Sequence, residues 1–161
     1  MTKSIVITGA SKGIGRATAD ALFQQGWSVI GIARSAPQTF PGQFIQADLA
    51  DQDQTLALAK ELAARGNVLG IVNNVGMAKH ETIDTVEIRT FSAVMDFNVR
   101  PALQLTQALL PGMRSTRFGR IVNVTSLVTR GLAFRSSYAA AKAALESLTR
   151  TMAAELAAYG I

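Results

Sequence analysis

The sequence contains no cysteine and only one histidine, His80, among its 161 residues. Without cysteine the chain cannot form disulfides, use a thiolate in catalysis or build a cysteine-based zinc site. A single histidine cannot make a histidine-rich metal site, and we place it in a loop after the fourth strand. We therefore expect no metal centre.

Long hydrophobic runs are also missing. The first apolar run, residues 5–7, is too short for a signal peptide, and no stretch approaches the roughly 18 apolar residues of a membrane span. Hydrophobic residues still make up 48% of the chain, which is ample for one globular core. We expect a soluble, cytoplasmic protein without membrane contact, with residues 1–161 in a single domain.

The balance of charge is basic, since 16 Lys and Arg against 11 Asp and Glu give +5. Such a balance suits nucleic acid or another polyanionic ligand. The basic residues form no run, and few aromatic residues lie among them, so we expect no nucleic-acid partner. A phosphate-rich cofactor would account for part of the charge.

The most informative stretch is TGASKGIG, residues 8–15, between an apolar strand at 4–8 and a helix at 13–25. Glycine allows positive φ and close approach of a ligand, and free N–H groups at a helix start favour an anion. The pattern predicts a phosphate cradle, although its spacing differs from G-x-G-x-x-G and a plain strand-to-helix turn is the alternative. The candidate residues are Gly9, Ser11, Lys12, Gly13, Ile14 and Gly15.

Strands and helices alternate along the rest of the chain. We predict strands at 27–33, 43–47, 68–72 and 119–125, helices at 52–65, 86–113 and 136–159, and loops at 77–85 and 127–135. The strands are apolar runs, which is typical of a parallel sheet covered on both faces. Right-handed crossovers then give an α/β fold with a doubly wound, Rossmann-type sheet and helices on both faces.

Arg34 and Ser35 directly follow the second strand, where the adenosine ribose of a dinucleotide would lie. A carboxylate there would bind a 2′-hydroxyl, whereas an arginine accommodates a 2′-phosphate. Lys12 could reach the same phosphate. The alternative is two ordinary surface cations. We expect NADP(H) in preference to NAD(H).

Tyr138 and Lys142 are four residues apart on the last helix and therefore share a face. A nearby positive charge lowers the pKa of a phenol from about 10, so that it can exchange a proton near neutral pH. Ser126, at the end of the fifth strand, could hold a carbonyl oxygen beside it, and no histidine lies nearby to activate a serine nucleophile. The alternatives are an exposed tyrosine with a solvated lysine, and a serine that caps a helix.

Asn98 lies three residues before Pro101 in a long helix. Proline removes the hydrogen bond to the carbonyl group of Phe97, so a kink there would free backbone oxygens for a bound water. A kink that serves packing alone is the alternative.

Together these motifs resemble the short-chain dehydrogenase/reductase family over essentially the whole chain, and most nearly its bacterial 3-oxoacyl-[acyl-carrier-protein] reductase type. The resemblance also covers Asp48-Leu49 and the run Asn73-Asn74-Val75-Gly76. It implies that Asp48 and Leu49 bind the adenine and that the Asn73–Gly76 motif steadies the sheet. Asn74 and Gly76 are then candidate cofactor-binding residues.

The resemblance implies an NADP-dependent oxidoreductase that moves a hydride between NADP(H) and a carbonyl or secondary alcohol, 3-oxoacyl reduction included. Tyr138 would protonate the carbonyl oxygen, and Ser126 would orient it. Lys142 would bind the nicotinamide ribose and lower the tyrosine pKa, so both Tyr138 and Lys142 would also contact the cofactor. Asn98 would hold a water in a proton relay to Lys142. A non-catalytic NADP-binding or scaffolding module is the alternative.

Family members continue beyond residue 161 into another strand, a substrate-binding loop and a final strand. We therefore expect that the chain lacks its C-terminal strands and substrate loop, which would leave the fifth strand as an open edge. The helices at about 86–113 and 136–159 are long and apolar. Since such helices pair across subunits in the family, we expect a homo-oligomer, either a dimer or a tetramer.

Overall fold

The computed structural model describes residues 3–161, and the strands in this part of the chain form one parallel sheet in the order β3-β2-β1-β4-β5. The strands are β1 (Ser4–Thr8), β2 (Ser28–Ala33), β3 (Gln43–Gln46), β4 (Val68–Asn73) and β5 (Arg120–Asn123). The helices are α1 (Gly13–Gln24), α2 (Gln52–Ala64), α3 (Ile88–Thr116) and α4 (Ser136–Leu156), with 3-10 turns at Leu127–Arg130 and Ala157–Tyr159. The predicted doubly wound α/β fold is confirmed.

The hydrophobic core lies on both faces of the sheet, because β1 and β4 are buried along their whole length. On one face Leu62 of α2 and Leu105 and Met113 of α3 pack against the sheet. On the other face Ala19 of α1 packs against Ile5 and its neighbours. No helix within residues 3–161 is long and apolar enough to cross a bilayer.

The predicted elements agree with the structure to within three residues at each end, but the structure differs from the prediction in several details. β3 and β5 are half exposed at the sheet edges instead of being uniformly apolar and buried. The loop predicted at 127–135 begins with a 3-10 turn, and the last α-helix ends at Leu156. Finally, α3 runs unbroken from Ile88 to Thr116 through a buried Pro101. A proline there removes one hydrogen bond without ending the helix.

The strand order locates the edge of the sheet at which a ligand would bind. After β1 the chain forms β2 and β3 on one side of β1, and β4 then lies on the other side. In doubly wound sheets ligands bind at the carboxyl ends of the strands where the order reverses. This point lies between Thr8, which ends β1, and Asn73, which ends β4.

Candidate active site

The turn between β1 and α1 has the geometry of an anion cradle. A Cβ atom on Gly15 would overlap the carbonyl oxygen of Gly9, so the helix can approach the turn this closely only with glycine. Gly13 adopts a φ of +58°, and the space where its Cβ would project is open. Lys12 occupies the N-cap position but gives no side-chain cap within the described chain, so the first N–H groups of α1 stay available to a ligand.

Asn74 joins the ends of β1 and β4. Its side-chain amide donates to the carbonyl oxygens of Thr8 (2.9 Å) and Gly9 (3.3 Å). In return the hydroxyl oxygen of Thr8 accepts from the backbone N–H groups of Asn74 (2.9 Å) and Val75 (3.0 Å). The glycine turn is therefore held rigidly at the switch point of the sheet.

A cavity of about 740 Å³ opens over the carboxyl ends of the strands and is called the cofactor cavity below. A volume of this size is typical of small-molecule sites. The predicted cofactor residues that line it are Gly9, Ser11, Lys12, Arg34, Ser35, Asp48, Leu49, Asn74 and Gly76. Gly13, Ile14 and Gly15 lie beside it at the start of α1. Tyr138 and Lys142 lie on α4, beyond the end marked by Gly76.

At the end of the cavity formed by β2 and β3, Asp48 shapes the turn that carries Leu49, because its carboxylate accepts from the N–H of Ala50 at 3.0 Å. Arg100 of α3 fixes the same turn by donating to the carbonyl oxygens of Leu49 (3.1 Å) and Ala50 (3.0 Å). Its guanidinium also pairs with both carboxylate oxygens of Asp96 at 2.9 Å. Sequence reasoning missed Arg100.

The loop after Arg34 is held in place by α1, on the other side of the sheet from Arg100 of α3. Arg16 of α1 donates to the carbonyl oxygen of Thr39 at 2.6 Å and pairs with Asp20 on its own helix at 3.0 Å. The ring of Phe40 lies where a side chain of residue 31 would project, which is possible because Gly31 has none. Arg34 and Lys12 are exposed and line the cavity, next to a loop whose backbone is fixed by these contacts.

Lys142 is buried at the other end of the cavity, with 2% of its surface exposed. Its ammonium donates to the carbonyl oxygen of Val124, next to the end of β5, at 2.8 Å. Burial lowers the pKa of Lys142 below the ordinary value of 10.5. The ammonium nitrogen lies 5.7 Å from the ring centroid of Tyr138, so the predicted pair does share one side of α4.

Asn98 braces α3 against the segment after β4. Its amide nitrogen donates to the carbonyl oxygens of Val94 (2.8 Å) and Met77 (2.9 Å), and its amide oxygen accepts from the N–H of Met77 at 3.3 Å. A Cβ atom on Gly76 would lie 3.0 Å from this oxygen and 3.2 Å from the Lys142 ammonium. Because Gly76 lines the cavity and has no side chain, the amide oxygen of Asn98 and the ammonium of Lys142 can lie close to the cavity.

Ser126 caps the 3-10 turn Leu127–Arg130, where its hydroxyl oxygen accepts from the N–H of Val128 at 3.4 Å. The helix-cap alternative is therefore observed. It does not exclude the predicted role, because an accepting hydroxyl keeps its own proton free to donate to a carbonyl oxygen.

Comparison with known proteins decides the family. The family model for short chain dehydrogenase matches residues 3–161. The chain belongs to the short-chain dehydrogenase/reductase family. It is 34% identical to the 3-oxoacyl-[acyl-carrier-protein] reductase FabG of Vibrio cholerae, over 99% of this chain and 69% of that protein. As a member of the short-chain dehydrogenase/reductase family, the protein is an oxidoreductase.

Solved structures agree with this assignment. A putative NAD(P)-dependent gluconate 5-dehydrogenase from Beutenbergia cavernae, with bound NADP, superposes with a TM-score of 0.91 at 31% identity, over 98% of this chain and 68% of that one. A putative betaketoacyl-ACP reductase gives 0.89 at 36% identity, over 98% and 69%. Short-chain dehydrogenase/reductase homologues bind nicotinamide cofactors, which the anion cradle and the cationic wall formed by Lys12 and Arg34 also suit.

The structure adds a partly buried chain of polar side chains to this short-chain dehydrogenase/reductase site. The side-chain amide of Asn73 donates to that of Asn123 at 2.8 Å, and Asn123 in turn donates to the hydroxyl of Thr149 at 2.8 Å. These bonds connect β4, β5 and α4. The sequence marked Asn73 only through its motif, because Asn123 and Thr149 carry no local pattern that separates them from other polar residues.

Proposed function

We propose that the protein is an NADP(H)-dependent carbonyl reductase or alcohol dehydrogenase in which Tyr138 is the general acid and base. The observation that supports this most strongly is the buried Lys142, fixed to the carbonyl oxygen of Val124 at 2.8 Å and placed beside Tyr138 at the end of the cofactor cavity. A buried lysine without an acidic partner is costly, and such groups concentrate at functional sites.

Tyr138 gives its phenolic proton to the carbonyl oxygen of the substrate during reduction and takes it back during oxidation. The ammonium of Lys142 lies 5.7 Å from the ring centroid of Tyr138, so its positive charge is close to the group that exchanges the proton. Lysine has three donors, and Val124 accepts from one of them, so two remain for the ribose and for a relay water near Asn98. The hydroxyl proton of Ser126 orients the carbonyl oxygen.

The preference for NADP(H) is supported by the side chains at the start of the cofactor cavity. Lys12 and Arg34 both line it and are exposed. Arg34 and Ser35 occupy the place after β2 where an acidic residue would bind a 2′-hydroxyl. A guanidinium and an ammonium suit a 2′-phosphate instead. When bound, the cofactor supplies or accepts the hydride.

We extend the proposal to the chemical character of the substrate, the domain organisation and the oligomeric state. Leu127, Leu132 and Phe134, in the segment between β5 and the helix that carries Tyr138, expose apolar side chains, which supports a substrate with an apolar part. Residues 1–161 act as one nicotinamide-binding domain of a cytoplasmic protein. Helices α3 and α4 pack against each other and would pair with those of a second copy, so we expect a dimer or tetramer in light scattering.

The test is NADPH and NADH oxidation with a panel of carbonyl compounds that includes 3-oxoacyl thioesters, aromatic ketones and sugar ketones. We expect NADPH oxidation coupled to at least one of them. Tight NADPH binding without reduction of any member would contradict the proposal and favour a non-catalytic binding module.

A further inference from the structure

We propose that Glu81 is a positioning residue for Tyr138, because its carboxylate caps the start of α4 from the loop that follows β4. The inference rests on the proposed role of Tyr138 as general acid and base. Glu81 itself lies outside the residues that line the cofactor cavity.

The first turn of α4 depends on a cap from elsewhere in the fold. Arg135, at the N-cap position, provides no side-chain cap in the part of the chain that the structure describes. Ser137, in the first turn, is fully buried, and its backbone N–H donates to the carboxylate of Glu81 at 3.0 Å. A buried N–H requires a partner, and a negative charge is favoured at a helix N-terminus. Glu81 satisfies both requirements from 56 residues away.

The backbone around Glu81 is fixed to the segment before α4 by further contacts. Glu81 forms an isolated parallel bridge with Arg135, and its N–H donates to the carbonyl oxygen of Phe134 at 3.2 Å. The guanidinium of Arg135 donates to the carbonyl oxygen of Lys79 at 3.1 Å. The rings of His80 and Phe134 stack with centroids 4.9 Å apart. These contacts therefore fix the backbone that carries the Glu81 carboxylate.

The backbone of Phe134 adopts a conformation that a phenylalanine does not favour, and these contacts hold it there. Its φ is +63°, in the left-handed region that non-glycine residues seldom occupy. Such a conformation persists when the surroundings determine it, and it is concentrated at functional sites. Here the surroundings are the bond from Glu81 and the stacked ring of His80.

The catalytic pair is thus anchored at two separate places. Lys142 is held by Val124, next to the end of β5, one turn further along α4. Tyr138 directly follows Ser137, whose amide Glu81 holds, and the N–H of Ala139 closes the same turn on the carbonyl oxygen of Arg135 at 2.7 Å. Loss of the Glu81 carboxylate should therefore displace Tyr138 while Lys142 stays in place.

The experiment compares E81A and E81Q with E87A. Glu87 is a matched control, because it also stands at the start of a helix but makes no side-chain cap bond within the described residues. In E81A we expect kcat to fall roughly ten- to a hundredfold, since small displacements of reacting groups have effects of this size. E81Q keeps an acceptor oxygen and should recover most of the lost activity. The Kd for NADPH should stay within about twofold of wild type in all three variants, because none of them alters a residue that lines the cofactor cavity.

A second measurement does not depend on activity. Amide hydrogen exchange at Ser137 should become at least about fivefold faster in E81A, as expected for the loss of a helix cap, and should be unchanged in E87A. Unchanged exchange in E81A would show that the cap is absent and would overturn the inference. Faster exchange with a kcat equal to that of E87A would overturn the positioning role. A wild-type protein that reduces no carbonyl would instead contradict the proposed function, and the exchange data would still decide the contact.

Discussion

Lys142 donates to the carbonyl oxygen of Val124 at 2.8 Å and so ties α4 to the residue that follows β5. The lysine is 2% exposed, and burial lowers its pKa below 10.5. A single bond to a neutral oxygen compensates only in part for the lost hydration of an ammonium group. Lys142 is therefore retained at a cost in stability, which is consistent with a function at this position.

Replacing Lys142 with methionine should flatten the alkaline part of the pH–stability profile. Because the folded pKa lies below the unfolded value near 10.5, the unfolded chain binds more protons between these two values. The free energy of unfolding of the wild type should therefore rise with pH through this window. The gain is complete above the unfolded pKa and is lost as the pH falls through the folded pKa.

Urea denaturation at a series of alkaline pH values measures this effect. The exposed Lys60 on α2 provides the control variant K60M, which should retain the wild-type slope. A wild type and a K142M variant with the same dependence on pH would contradict the assignment of a lowered lysine pKa.

Arg34→Gln and Lys12→Gln should weaken NADPH binding while NADH binding stays the same. Each change removes a cation from the wall that would contact a 2′-phosphate, and a charged hydrogen bond of roughly 1.5 kcal/mol corresponds to about a tenfold change. Fluorescence titration with both cofactors measures the ratio. R89Q is a control outside the cavity. Equal losses for NADPH and NADH would argue against 2′-phosphate recognition.

Arg100→Met should weaken both cofactors by the same factor, about tenfold, because the turn of Asp48 and Leu49 would contact the adenosine part that they share. Arg65→Met is the matched control. Arg65 also pairs with an acidic residue on its own helix, Glu61, at 2.7 Å, but its other side-chain partner is Gln43 of β3 and not the turn of Asp48 and Leu49. Calorimetric Kd values for NADPH and NADH check the expectation, and a loss confined to one cofactor would disagree with it.

The sequence was sufficient for features that depend on neighbours along the chain. The doubly wound parallel sheet followed from alternation and handedness. The N-cap of α2 is equally local, since Asp51, a residue type that favours helix starts, accepts from the N–H groups of Asp53 and Gln54. The kink expected near Asn98 stays a prediction, whereas the bond from the Asn98 side chain to the carbonyl oxygen of Val94 within α3 was not foreseen.

Contacts between distant segments could not be predicted. The spacing of Asp96 and Arg100 marks an ion pair on one helix, but the bond from Arg100 to Leu49 depends on how α3 packs beside the turn. The same holds for Glu81 and Ser137, whose contact requires the loop after β4 to reach the start of α4. Packing geometry, which no local periodicity encodes, determines these contacts.

Turnover of Tyr138→Phe tests the central claim most directly. The protein has one other tyrosine, Tyr159, which lies over the guanidinium of Arg114, so Y159F is the natural control. Removal of the phenolic proton should lower kcat roughly 10²–10⁴-fold, the usual contribution of a general acid, while the Kd for NADPH changes little. Y159F should behave as the wild type. Undiminished carbonyl reduction by Y138F would contradict the proposal that Tyr138 transfers the proton.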